Sequence, residues 1–216
     1  MRHKLLFLIF LLLPLLSQGA LDSIHYQKIH KYFTHTFPSE FSCQVESENL
    51  SESLSQIPRE AISDPKNLKV VFLYHRELGS RVIVRGVTPP FADRFAYIEG
   101  VFDFIFPFVR AKNFDEFSRN YSIFDAETSN FKLKKRLTAG SFLQIFLKKN
   151  LVSVVKEFKD KELLMNVQLN YQQIDKFIVP SLFRVFYYEK GALKILNFRL
   201  TNFDFKPNIS EEDFLG

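Results

Sequence analysis

The chain has 216 residues, of which 29 are Lys or Arg and 24 are Asp or Glu, so its formal charge is +5. That balance is too mild to argue for a nucleic-acid partner. A single cysteine, Cys43, excludes a disulfide bond within the chain. Phenylalanine is unusually frequent, with 26 residues, and at this density it can either fill a large core or line an apolar cavity.

The first nineteen residues have the order of a secretory signal peptide. Residues 2–4 are basic, residues 5–16 are apolar apart from Pro14, and small residues precede Ala20. The apolar run is too short for a membrane-spanning helix, which needs ~20 residues. We expect cleavage near Gly19/Ala20. This leaves residues 20–216 as a single domain in a bacterial periplasm, because exported animal domains usually carry several disulfides.

The next part of the chain predicts one helix, one strand and one hairpin. Asp22 is a suitable helix cap, and apolar residues follow it at helical spacing. Alternation over residues 41–46 predicts a strand that points Cys43 inward as a small buried hydrophobe. Residues 49–68 are polar and turn-rich, and β-branched and aromatic residues at 70–74 and 81–84 predict a hairpin.

A second helix is predicted to begin at Pro90, whose missing N–H costs nothing in a first helical turn. Its apolar residues recur at spacings of four and three, at Phe91, Phe95, Ile98, Phe102 and Ile105. Residues 101–109 are apolar nearly all round, so this helix is expected either inside the core or bordering a cavity.

From Tyr121 onward the pattern is that of a meander of antiparallel strands. The clearest run places Leu163, Met165, Val167, Leu169 and Tyr171 on one face, and four amide side chains alternate with them. Strands at 177–188 and 193–205 follow, joined by a turn at 189–191. Closely spaced strands without an intervening helix must pair antiparallel, so the predicted fold is α+β and mainly antiparallel β.

The last fifty residues resemble the outer-membrane lipoprotein carrier and sorting family of periplasmic proteins. The resemblance lies in a strand with Tyr171, the segment from Gln172 to Pro180, two strands around Gly191 and an acidic-Phe tail from Pro207 to Phe214. It implies a curved, unclosed β-barrel (a half-barrel) whose concave face is covered by helices, with acyl chains held between them. The segment 90–106 would then be a lid.

If this resemblance holds, the chain is a periplasmic carrier of a lipid or of lipoprotein acyl chains, possessing neither cofactor nor enzymatic activity. The expected partners are a lipid or an acylated protein, together with proteins of the inner or outer membrane, and the chain is expected to be a monomer. The candidate residues of the apolar cleft are Phe91, Phe95, Ile98, Phe102, Ile105, Phe106, Phe72 and Leu164.

Two other functions remain open. The same fold can serve as an envelope interaction or regulatory module that binds a partner protein, and a hydrolase with an irregular site ranks last because no nucleophile–base motif occurs. His25, His30 and His35 are five residues apart, whereas paired zinc ligands on a helix are four apart, so no metal site is predicted. The basic cluster at 132–136 either attracts anionic lipid head groups or is a solvated sheet face, which is the simpler interpretation.

Overall fold

The structure is a computed structural model of the chain. It describes residues 26–27, 30, 37–88, 91, 95, 98, 100–101, 104, 114–127, 130–149, 151–189 and 191–214. The predicted signal segment and most of the first predicted helix lie outside these residues.

Ten strands account for most of the described chain. They are β1 (Glu40–Glu46), β2 (Lys69–His75), β3 (Gly79–Arg85), β4 (Tyr121–Ala126), β5 (Asn130–Lys135), β6 (Ser141–Lys148), β7 (Leu151–Lys159), β8 (Glu162–Ile174), β9 (Phe177–Glu189) and β10 (Ala192–Asp204). Within the described residues there are two short α-helices, α1 (Glu48–Ser55) and α2 (Phe114–Asn120). Three 3-10 turns cover Arg59–Ala61, Pro65–Asn67 and Glu211–Phe214.

All ten strands form one antiparallel sheet in the order β3-β2-β1-β10-β9-β8-β7-β6-β5-β4. Seven of them, β4 to β10, are a meander in which each strand pairs with the next along the chain. The pairing of β1 with β10 joins this meander to the first hairpin. The sheet is open, with β3 and β4 at its edges, so the mainly antiparallel β fold is confirmed and the sheet does not close into a barrel.

One face of this sheet, called here the inner face, carries a continuous apolar cluster. Each strand contributes through alternation of buried and exposed positions, with these residues on the inner face: Phe41, Cys43, Val45, Val70, Phe72, Tyr74, Val84, Ile123, Phe131, Leu133, Leu143, Ile145, Val152, Val155, Val167, Leu169, Phe183, Val185, Phe198 and Leu200. Cys43 is 2 % exposed, and its burial raises the pKa of the thiol. The inward position predicted for Cys43 is therefore confirmed.

Bulges change which residues point inward in the meander. Phe158 pairs with Leu163 and Glu157 with Met165, so Leu164 is an extra residue between the two pairs. An inserted residue reverses the alternation on one side of it. Met165, Val167 and Leu169 point inward as predicted, but the prediction for Leu163 is wrong, because it lies beyond the bulge and points to the outer face.

Among the described residues no helix is both long and apolar enough to cross a bilayer. The described helices are short, and their hydrophobic side chains contribute to the cluster of the inner face, as Leu50 of α1 and Phe117 of α2 do.

Candidate functional site

The inner face is apolar across nearly its whole width because every strand places its hydrophobic parity there. Several of its largest side chains are almost fully buried, among them Phe41, Phe72, Phe183 and Phe198 at 0–1 % exposure. Phe41 contacts aromatic rings on both neighbouring strands, with ring centroids 5.9 Å from Phe72 and 5.7 Å from Phe203. Hydrocarbon groups can pack against this surface, whether they are the protein's own side chains or part of a ligand.

Segment 91–104 packs against this cluster through its apolar residues. Phe95, Ile98 and Val101 are 1 %, 0 % and 7 % exposed and belong to the buried cluster, and Phe91 and Phe104 are half-buried against it. Gly100 is exposed. Residues 98, 100, 101 and 104 have α-helical backbone, and Phe91 and Phe95 have 3-10 backbone, so Ile98 is the one described residue of the predicted apolar stripe that is α-helical.

The predicted cleft residues are only partly brought together. Phe72, Phe95 and Ile98 lie in one buried cluster, and Phe91 packs against it. Leu164 is 41 % exposed at the bulge of β8 and is not part of that cluster. Phe102, Ile105 and Phe106 lie outside the described residues.

An ion pair interrupts the apolar surface of the inner face. The Nζ atom of Lys135 on β5 contacts Oε1 of Glu157 on β7, and the two side chains are 26 % and 17 % exposed. Lys135 shares its parity with Phe131 and Leu133, and Glu157 pairs with the buried Leu143. Both charges therefore stand on the inner face, at the end of the sheet where β5 ends.

Segment 91–104 reaches this ion pair. The Nζ atom of Lys135 lies 5.9 Å from the ring centroid of Phe104, within the range of a cation–π contact. A half-buried pair with an aromatic ring beside it is a polar spot in an otherwise apolar surface, and such a spot can hold the polar end of an amphiphilic ligand.

Sequence reasoning missed this pair. It assigned Lys135 to the basic cluster at 132–136 and did not single out Glu157. The signal was nevertheless present, because Lys135 continues the inward parity of Leu133, and Glu157 continues the inward parity of Val155.

A second aromatic group joins the N-terminal part of the chain to α2. Tyr26 stacks on His30 with centroids 5.1 Å apart, and its ring lies 5.1 Å from Phe117 and 5.6 Å from Phe114. The position of the His30 ring is therefore set by its stacking on Tyr26. The described residues contain no group of three or more His, Cys, Asp or Glu that could hold a metal ion, and His25 and His35 lie outside them.

No protein-family model matches the sequence, and a comparison with curated proteins gives no match. The chain is similar in structure to a crystal structure of a DUF1329 family protein from Desulfovibrio piger, at 10 % sequence identity. That likeness covers 89 % of this chain and 96 % of the other, with a TM-score of 0.45. At this level it carries no argument, so the proposals below depend on the residues described above.

Proposed function

We propose that the chain is a periplasmic binder or carrier of an apolar ligand, either a lipid or the acyl chains of a lipoprotein. The ligand would lie between the inner face of the sheet and segment 91–104, which would act as the lid. The observation that supports this most directly is the ion pair Lys135–Glu157 beneath Phe104, a polar spot at the rim of a wide apolar surface.

The chemistry of that spot suits an amphiphile. Removing an ion pair from water costs free energy, and hydrophobic residues of similar volume are often as stable. Here the Lys135 ammonium can exchange Glu157 for a phosphate or carboxylate of a head group, while the acyl chain enters the aromatic cluster. Each buried CH₂ contributes ~0.8 kcal/mol, so a few acyl carbons give useful affinity without a covalent bond.

Entry of a ligand requires the lid to move. Phe95 and Ile98 are 1 % and 0 % exposed, so the space that an acyl chain needs is filled by the protein's own side chains. Displacing segment 91–104 would uncover the same apolar surface to the ligand. The ligand thus replaces contacts that the lid makes, and it can be handed on when the lid closes again.

The first test is to look for a ligand that accompanies the protein. The chain is expressed with its own signal segment in a bacterial periplasm, purified without detergent, and measured by native and then denaturing mass spectrometry. We expect a reproducible adduct that is released as a lipid on denaturation. A bare mass, with no uptake of a fluorescent fatty acid afterwards, would refute the proposal and favour a protein-binding module.

A matched pair of variants locates the ligand. Phe104→Ser removes a half-buried ring beside Lys135, and Phe124→Ser removes a ring that is 50 % exposed on the outer face. We expect Phe104→Ser to weaken retention of the ligand by about tenfold, which corresponds to the loss of ~1.4 kcal/mol of apolar contact. Phe124→Ser should retain the ligand, and equal losses in both variants would contradict the assigned site.

A further inference from the structure

The large hydrophobic side chains that are exposed among the described residues gather at one end of the sheet. This end carries the β5–β6, β7–β8 and β9–β10 turns. The exposed residues are Phe124 (50 %), Leu137 (85 %), Leu163 (37 %), Leu164 (41 %), Tyr188 (60 %), Leu193 (52 %) and Ile195 (46 %). Leu137 lies in the β5–β6 turn itself. An exposed apolar patch that is confined to one region of a protein indicates a surface that another molecule or a membrane covers.

Strand register places three of these residues, Leu163, Tyr188 and Leu193, in one row across the outer face. Lys134 pairs with Phe142, Phe142 with Phe158, and Phe158 with Leu163. On the far side of β8 the row continues with the pair Tyr188–Leu193. The rings of Phe142 and Phe158 stack at 4.8 Å. This row, together with Leu137, is called the turn-end surface.

Basic residues flank the turn-end surface. The next row toward the sheet centre includes Lys132 and Lys156, and Lys134, Arg136 and Lys161 are exposed near the turns. Segments 132–136, 156–162 and 188–194 together contain nine Lys or Arg and four Asp or Glu, so they carry a charge of +5. That value equals the formal charge of the whole chain, and the rest of the sequence is therefore neutral.

We propose that the turn-end surface docks the protein on a bilayer that contains anionic phospholipids. Leu137, Tyr188 and Leu193 would enter the interface between head groups and acyl chains, and the surrounding lysines would contact lipid phosphates. A second copy of this chain is the poorer occupant, because Lys132, Lys134, Lys156 and their neighbours would face the same basic residues of the other copy. This docking is separate from the inner face and does not depend on the proposed ligand.

A single fluorescent residue tests the position of the surface. The chain has no tryptophan, so Leu137→Trp places one reporter at the most exposed apolar position. Vesicles of phosphatidylglycerol and phosphatidylcholine should shift its emission to the blue, and lipids brominated on their acyl chains should quench it. Gln56→Trp, at an exposed position after α1, is the control and should show neither effect. Equal responses at both positions, or none at Leu137→Trp, would overturn the proposal.

Charge variants test the chemistry of the partner. Lys134→Gln, Arg136→Gln and Lys161→Gln combined should weaken partition onto the anionic vesicles by on the order of 100-fold at low salt. The control combines Arg59→Gln, Lys66→Gln and Lys206→Gln, three exposed residues outside this surface with the same change of net charge. Equal losses in the two triple variants would show only unspecific attraction. Self-association through the turn-end surface, seen by light scattering as a dimer that Leu193→Ser abolishes, would also refute the lipid partner.

Discussion

Single buried residues can carry ionisable groups, and Tyr26, whose ring packs against Phe117 of α2, offers the clearest consequence. Its side chain is 3 % exposed within an aromatic cluster. Burial raises the pKa of Tyr26 from 10.0 to about 12, and the nearby Glu116 carboxylate adds to the rise. The folded protein therefore keeps the proton over a range in which the unfolded chain loses it.

Tyr26→Phe tests this pKa through the pH dependence of stability. A pKa that is raised in the folded state contributes stability below the unfolded value, and that stability is lost as pH rises from 10 toward 12. The free energy of unfolding of the native protein should fall, relative to that of Tyr26→Phe, across this window and remain parallel to it below. Urea titrations followed by circular dichroism measure both. Tyr188→Phe, at a residue 60 % exposed, is the control and should follow the native protein.

For single residues, the sequence predicted which side chains are buried better than it predicted which residues contact each other. The inward position of Cys43 followed from alternation alone, because alternation is a local property of a strand. The ion pair Lys135–Glu157 joins residues 22 positions apart, and no local pattern states that β5 and β7 flank β6 from its two sides. The sequence shows that each of the two residues points to the inner face. That they contact each other can be predicted only once the order of the strands in the sheet is known.

Among the elements, two of the three hairpin turns at the turn-end surface are joined by a hydrogen bond. Asp160 donates its backbone N–H to the carbonyl of Gly140 at 3.1 Å, which joins the β7–β8 turn to the β5–β6 turn. Gly140 has φ +74, and a Cβ added there would clash with the Asp160 carboxylate. Asp160 and Lys161 have φ of 49 and 75, as in the turns that suit the twist of two-residue hairpins.

Gly140→Ala and Gly191→Ala separate the clash from the backbone strain. Both glycines have positive φ, but a Cβ at Gly191 would meet nothing within 4 Å. Gly191→Ala should lower the free energy of unfolding by about 1 kcal/mol, the cost of a left-handed alanine. Gly140→Ala should cost only slightly more, because the Asp160 carboxylate is the exposed end of a side chain and can turn away from the added methyl group. A loss for Gly140→Ala that exceeds that of Gly191→Ala by more than about 1 kcal/mol in urea titrations would contradict this.

The strands themselves were largely predictable from sequence, and their irregularities were not. β-Branched and aromatic residues located the hairpin of β2 and β3, alternation located β8, and β9 and β10 were placed on either side of the turn at 189–191. The bulge at Leu164 was not visible, since Leu163, Leu164 and Met165 are all apolar and support either parity. A bulge is decided by pairing with the neighbouring strand, and here Phe158 pairs with Leu163.

For the whole molecule, the pairing of β1 with β10 is the step that local patterns could not supply. It unites residues about 155 positions apart, as the contact of the Thr201 hydroxyl with the Glu46 carboxylate illustrates. Because β2 then lies one strand from the edge of a single ten-stranded sheet, one would expect its outer face to meet water. Instead all residues from Val70 to Tyr74 are buried.

The position of the C-terminal tail leads to a prediction about this burial. Val71 and Leu73 are 6 % and 3 % exposed but do not belong to the cluster of the inner face. The tail leaves β10 at Asp204, and its last turn, Glu211–Phe214, contacts β3. Since β1 and β2 separate β10 from β3 in the sheet, we infer that the tail passes beside these two strands and covers Val71 and Leu73.

Deleting residues 207–216 should therefore expose two apolar side chains of β2. The free energy of unfolding should fall by about 2–4 kcal/mol, since uncovering one Val or Leu costs up to ~1.5–3 kcal/mol. Urea titration measures the loss, and binding of a hydrophobic dye to the folded protein should rise. The control is Glu211→Ala with Glu212→Ala, which changes two exposed residues of the same turn and should cost less than 0.5 kcal/mol, in the ordinary range of surface substitutions. If the truncated chain were as stable as this control, a segment other than the tail would have to cover β2.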